Sequence, residues 1–181
     1  MEYLQQTREY QLIADYYGTR TAERSGVELM QHIIEGLAIL KAQDASMVTM
    51  KAYCIHPLLQ GDTEYFTNFH SIFNNADPDS IMLAVEYRRC ANAYLCKPHT
   101  DDWYDDWPTK EGVVNLVCKE VALMLLADKV QNMKDFMLYH YHTHERADEL
   151  LRYFAAWIDL VNELLPSLPS YRTLIKDSQP L

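Results

Sequence analysis

Glycine is scarce in this chain, five in 181 residues, which withholds most of the tight turns that a β-rich fold needs. Its four cysteines, Cys54, Cys90, Cys96 and Cys118, form no C-x-x-C pair, and no charged segment followed by an apolar leader opens the chain. Reduced thiols in a cytoplasm are therefore expected. Long hydrophobic runs are also missing. The longest, Val121 to Ala127, is bounded by Glu120 and Asp128, far short of the roughly 20 residues that cross a bilayer, so no membrane association is expected. Positive charge is short as well: 16 Lys and Arg stand against 26 Asp and Glu, a formal net charge of -10. Such a surface repels a phosphate backbone and excludes long nucleic acid as a general partner. It leaves room for a small anion in a local basic pocket.

What is present is apolar material at helical spacing. Hydrophobic residues make up 49% of the chain, enough for one packed domain over residues 1–181 without disulfides or structural metal. Tyr3, Leu4, Tyr10, Ile13, Ala14 and Tyr17 predict a first helix from Glu2 to Tyr17, stopped by Gly18. Val27, Met30, Ile33, Ile34, Leu37 and Leu40 predict a second, running to Gln43. Asp44 or Ser46 caps a third, which should end or kink where His56 meets Pro57. A short aromatic helix over Thr63 to Phe73 follows, then a longer one opened by Asp77-Pro78 and reaching Leu95. After an irregular acidic stretch, one long helix is expected from Glu111 to Tyr139 and another from Arg146 to Leu165. With no repeat or linker to divide it, the chain should form a single all-α bundle of about seven helices.

Ionisable residues on apolar helical faces are the informative exceptions, and three stand out: His32, His56 and Asp128. Asp128 interrupts Met124-Leu125-Leu126-Ala127 and Val130, where an unpaired carboxylate is costly to bury and needs a cation, a metal or several donors. His32 lies between Met30 and Ile33, and His56 ends the run Tyr53-Cys54-Ile55. Two imidazoles and a carboxylate from three helices can converge as a facial set of ligands, with open positions for water and substrate. Taken singly, each histidine reads more readily as a satisfied core residue than as a ligand.

The order of these residues resembles a known family. Arg24-Ser25-Gly26-Val27-Glu28-Leu29-Met30-Gln31-His32 is similar to the K-S-G-x-x-Y-x-x-H opening of the HD-domain metal-dependent phosphohydrolases, in their alarmone-hydrolase branch. Leu126-Ala127-Asp128-Lys129-Val130-Gln131-Asn132-Met133 resembles the L-A-D-K-x-x-N-M element, and Ala52-Tyr53-Cys54-Ile55-His56 takes the place of A-x-L-L-H-D. The resemblance covers roughly residues 20–140. It implies an HD-like helical fold, with His32, His56 and Asp128 as ligands to a divalent metal, Mn, Mg or Zn. Asn132 is then placed near the substrate, with Arg24 and Lys129 holding phosphates and Arg20, Arg88 and Arg89 as further candidates.

Two departures bear on activity. Pro57 stands where the family has the aspartate of its His-Asp pair, so one anionic ligand is missing. Gln60 and Gly61 match the Glu-Asp pair that positions the attacking water, and Asp62, one residue later, can replace it if the turn rearranges. Gln60 and Asp62 are the catalytic candidates on this reading. With one carboxylate fewer, a bound divalent ion keeps more of its charge and favours a polyphosphate as an added ligand. The resemblance thus implies a phosphohydrolase acting on a nucleotide or alarmone-like (pyro)phosphate. The alternative is a degenerate relative that binds nucleotide without turnover, as a sensor or sponge.

Three features have plainer readings. His140, His142 and His144 could place two imidazoles at i and i+4 for a metal, but a polar connector between helices explains them more simply. The segment Asp101 to Trp107 reads as a lid with stacking aromatics or as a solvated acidic loop. Thirteen tyrosines build the core or a contact in a homo-oligomer.

Overall fold

The computed structural model describes residues 2–23, 25–95, 108–114 and 117–166. Arg24 and the Asp101 to Trp107 segment lie outside the described residues. Within them the fold is all-α. Seven helices run ten residues or more: α2 (Arg8–Tyr17), α3 (Leu29–Ala42), α4 (Met47–Gln60), α5 (Asp62–Asn75), α6 (Pro78–Ala93), α8 (Lys119–Asp135) and α9 (Ala147–Leu164). Two short ones, α1 (Glu2–Gln5) and α7 (Lys110–Val114), complete the set with a π-helical turn over Phe136–His140. A lone antiparallel bridge joins Thr21 to Glu28. Among the described residues no helix is long and apolar enough to cross a membrane.

Caps account for several starts. The Ser46 hydroxyl accepts the Thr49 N–H at 3.1 Å and opens α4, while the Asp77 carboxylate accepts the Asp79 N–H at 3.0 Å and opens α6 with Pro78 in its first turn. The first predicted helix is instead two. Thr7 breaks it, its hydroxyl donating to the Leu4 carbonyl at 2.7 Å and accepting the Tyr10 N–H, a local bond that competes with helix continuation. The long helix expected from Glu111 to Tyr139 is also divided, into α7 and α8, after a segment in which Gly112, Val113 and Val114 are weak helix formers.

At Pro57, where an end or a kink is expected, the helix does not end: α4 continues to Gln60 with the proline inside it. Tertiary burial outweighs the local penalty, because α4 is the central helix and packs on α2, α3, α5, α6 and α8. Tyr53, Cys54, Ile55, Leu58 and Leu59 are all at or near zero exposure, and the isoleucine and two leucines each contribute roughly 1.5–3 kcal/mol. Gly36 on α3 leaves room for the Tyr53 ring of α4. A methyl group there would meet the Tyr53 hydroxyl at 2.1 Å. The second helix at the centre is α8, where every residue from Val121 to Gln131 is buried. It carries Asp128 into the middle of the bundle, beside α3 and α4.

Candidate metal centre

Three helices deliver three acceptor atoms to one point. His32 comes from the first turn of α3, His56 from the last turn of α4 and Asp128 from the middle of α8. His32 Nε2 lies 3.4 Å from His56 Nε2 and 3.5 Å from Asp128 Oδ1, and His56 Nε2 lies 3.7 Å from the same oxygen. His56 and Asp128 are buried at 1% and 3% exposure, whereas the His32 side chain keeps 20%. Among the described residues no other group of three His, Cys, Asp or Glu donors converges in this way.

The protonation pattern follows from the partners. Gln131 turns its amide NH2 to two carboxylates, Glu35 at 3.2 Å and Asp135 at 2.7 Å, so its oxygen faces His32 Nδ1 at 2.6 Å and must accept from it. His56 Nδ1 lies 2.6 Å from the Tyr53 carbonyl, which can only accept. Both imidazoles therefore carry their proton on Nδ1 and turn an Nε2 lone pair inward. Two lone pairs and a carboxylate oxygen then face one another at distances where a hydrogen bond is expected and no donor lies among them. Such an arrangement repels itself unless a cation or an added proton sits between. A point equidistant from the three atoms is about 2.0 Å from each, and bonds from zinc to imidazole nitrogen or carboxylate oxygen are roughly 2.0–2.2 Å. The donor set thus fits a divalent ion.

Electrostatics keep the set ready. Burial would raise the Asp128 carboxyl, but Lys129, with Nζ 2.9 Å from Oδ2, outweighs it and holds that group far below the usual carboxylate range. Burial likewise pulls Lys129 down, and Asp128 more than compensates, so the ammonium stays charged. For His32 burial wins: its pKa is lowered from the ordinary value of 6.5 despite Asp128, and the ring stays neutral. Asn132 Nδ2 donates to Asp128 Oδ1 at 2.9 Å, which fixes the carboxylate from a second side. Tyr17, at the rim, is pushed up to about 12 by burial and by neighbouring Tyr16.

The centre lies in the wall of a cavity of about 450 Å³ that also admits Gln60, Asn132 and His140. The sequence candidates divide accordingly. His32, His56, Asp128, Asn132 and Gln60 come together. Lys129 lies beside them, but its charge is committed to Asp128 and its Nζ packs over Tyr153 and Trp157, at 5.6 and 5.9 Å. Asp62 does not join them; its side chain is 82% exposed, paired with Arg88, and borders a neighbouring pocket. Arg20 stacks on Tyr16 at 4.7 Å and donates to the Tyr17 carbonyl at 3.2 Å. Arg24 lies outside the described residues. Of the three clustered histidines, His140 borders the cavity, while His144 Nδ1 accepts the Arg146 N–H at 3.1 Å.

Sequence reasoning missed the groups behind the three converging side chains. Gln131, Glu35 and Lys134 form a buried chain, with Lys134 Nζ on Glu35 and Glu35 on Gln131. Glu35 carried the signal that singled out Asp128, an acid inside an apolar run, and could have been found the same way. No family model, curated protein or solved structure matches the chain.

Proposed function

We propose that the chain is a metal-dependent phosphohydrolase acting on a nucleotide or an alarmone-like (pyro)phosphate, with His32, His56 and Asp128 as ligands to Mn, Mg or Zn. The observation that carries this reading is the convergence of three inward-facing acceptors, each backed by a partner that fixes its orientation. The charge balance supports an anionic substrate. Asp128 and Lys129 cancel each other, so a divalent ion brings its full charge to the cavity.

When bound, the ion supplies Lewis-acid polarisation of a phosphoryl oxygen and an activated water. The chain's own residues do the rest. Lys129 keeps Asp128 ionised, and Asn132 holds it in register while remaining at the cavity surface to meet a substrate oxygen. Gln60 offers an amide at the same surface, suited to orienting a water or a phosphate. Gln131 and the Tyr53 carbonyl keep the imidazoles turned inward.

The second reading, a nucleotide binder without turnover, draws on Pro57 and on the distance of Asp62 from the centre. The charge pattern separates the two. Among the described residues that border the cavity, Lys129 is the one lysine or arginine, and it is already paired. Incubating the pure protein with nucleoside di-, tri- and bis-phosphates plus manganese, magnesium or zinc, and following products by chromatography, tests the proposal. Metal-dependent product supports it. Intact nucleotide held without metal, and no product across the panel, favours the binder.

A further inference from the structure

Pro57 reads as a loss when the chain is compared with a His-Asp pair, yet its surroundings show it in a different light. In an unbroken helix the N–H of residue 57 bonds the carbonyl of residue 53. Proline has no N–H, so that bond is missing within α4. Tyr53 and His56 are buried at 0% and 1% exposure, which keeps water from the vacated oxygen. His56 Nδ1 takes it instead, at 2.6 Å. The ring is confined between Tyr53 and Tyr87, with centroids at 4.6 and 4.8 Å, and no other partner reaches Nδ1 among the described residues.

We propose that Pro57 is a positioning residue: by withholding a main-chain donor from the Tyr53 carbonyl, it leaves that oxygen to His56 Nδ1 and so presents an unprotonated His56 Nε2 to the metal. The ligand-presenting role rests on the metal-centre reading; the effect on the His56 tautomer does not. A residue with an N–H at position 57 competes for the same oxygen, lengthens the imidazole bond and releases the ring to the Nε2–H tautomer. That tautomer cannot bind a metal through Nε2. The helix itself loses nothing in such a variant, since it regains its own bond.

The test uses the full chain with Pro57→Ala and Pro57→Gly, which both restore the N–H but differ in helix propensity. Nitrogen NMR of the metal-free proteins at pH 8 reads the His56 tautomer, and calorimetric titration with manganese and with zinc reads affinity. In wild type, His56 is expected as the Nδ1–H form. Both variants should shift it toward Nε2–H and weaken both ions by roughly 10-fold, the lower end of what loss of a partner behind a ligand costs. Unchanged spectra in both variants overturn the proposal, as do altered spectra with unchanged affinity. A wild type that binds neither ion overturns the metal-centre reading instead, and the spectra then still decide whether Pro57 sets the tautomer.

Discussion

His32 and His56 face each other across 3.4 Å, but the walls behind them are built by different means. Behind His32 stands a chain of side chains from α3 and α8, in which Gln131 is anchored by Glu35 and Asp135 and Glu35 by Gln31 and Lys134. Behind His56 stands a single backbone oxygen inside α4, left open by a proline. The first wall is polar, charged and adjustable. The second depends on a missing donor and on aromatic packing. Two imidazoles of one cluster can thus be oriented by added groups or by a subtraction, and the two solutions should fail differently.

The strongest break removes what the walls share. Asp128→Asn should abolish metal binding, and it leaves Lys129 charged and buried at 4% exposure without its partner. That should cost about 3–5 kcal/mol of stability. Urea unfolding reads the loss, and Asp128→Asn with Lys129→Met should recover most of the stability but none of the metal affinity. On the His32 side alone, Gln131→Leu removes the acceptor on Nδ1 and one donor to Glu35, which keeps Gln31 and Lys134. Metal affinity should fall about 10–100-fold, more than for a change at Pro57, because His32 loses its acceptor while Glu35 and Asp135 each lose one of their donors. Calorimetry of the two variants side by side gives the order.

Acidification distinguishes the walls in another way. Burial lowers the His32 pKa below its ordinary 6.5 in the folded chain, so the unfolded chain takes up that proton first. The neutral ring's contribution is complete above about pH 6.5 and is lost as pH falls below it. Metal-free protein should therefore lose stability from pH 7 downward, by at most about 1.4 kcal/mol per pH unit for one proton. Melting temperatures across pH 8 to 5 check this, and His32→Asn should flatten the slope. Asp128, held far below the carboxylate range, contributes nothing to that window.

Much of this organisation could be read from the residues. An aspartate inside Met124 to Val130 has no inexpensive place in a core, so its burial and pairing were legible, as were the starts of α4 and α6 at Ser46 and Asp77-Pro78. The course of α4 past Pro57 was not. Local sterics argue for a stop or a kink, and what carries the helix on is burial by the surrounding helices together with one imidazole bond, neither written in the neighbouring residues. Gln131 was missed for a similar reason. An amide has no fixed role until its partner arrives, and Glu35 lies 96 residues away along the chain. Asp62 shows the converse: its place one residue after the match to the family's Glu-Asp pair suggested a group that positions water, yet the start of α5 turns it outward to Arg88.

The smallest effect should come from that residue. Asp62→Ala removes an exposed ion pair, so stability should move by less than about 0.5 kcal/mol and metal affinity should not change. Urea unfolding and calorimetry on the same sample check both. A large loss of affinity would mean that the turn at Gly61 brings Asp62 inward when metal binds.

The central claim is that His32, His56 and Asp128 hold one divalent ion. Titrating metal-free wild type with manganese, followed by electron paramagnetic resonance, tests it most directly. Saturation at one ion per chain, lost in Asp128→Asn, is the result expected. No saturable binding, or binding that survives replacement of all three residues, would contradict it.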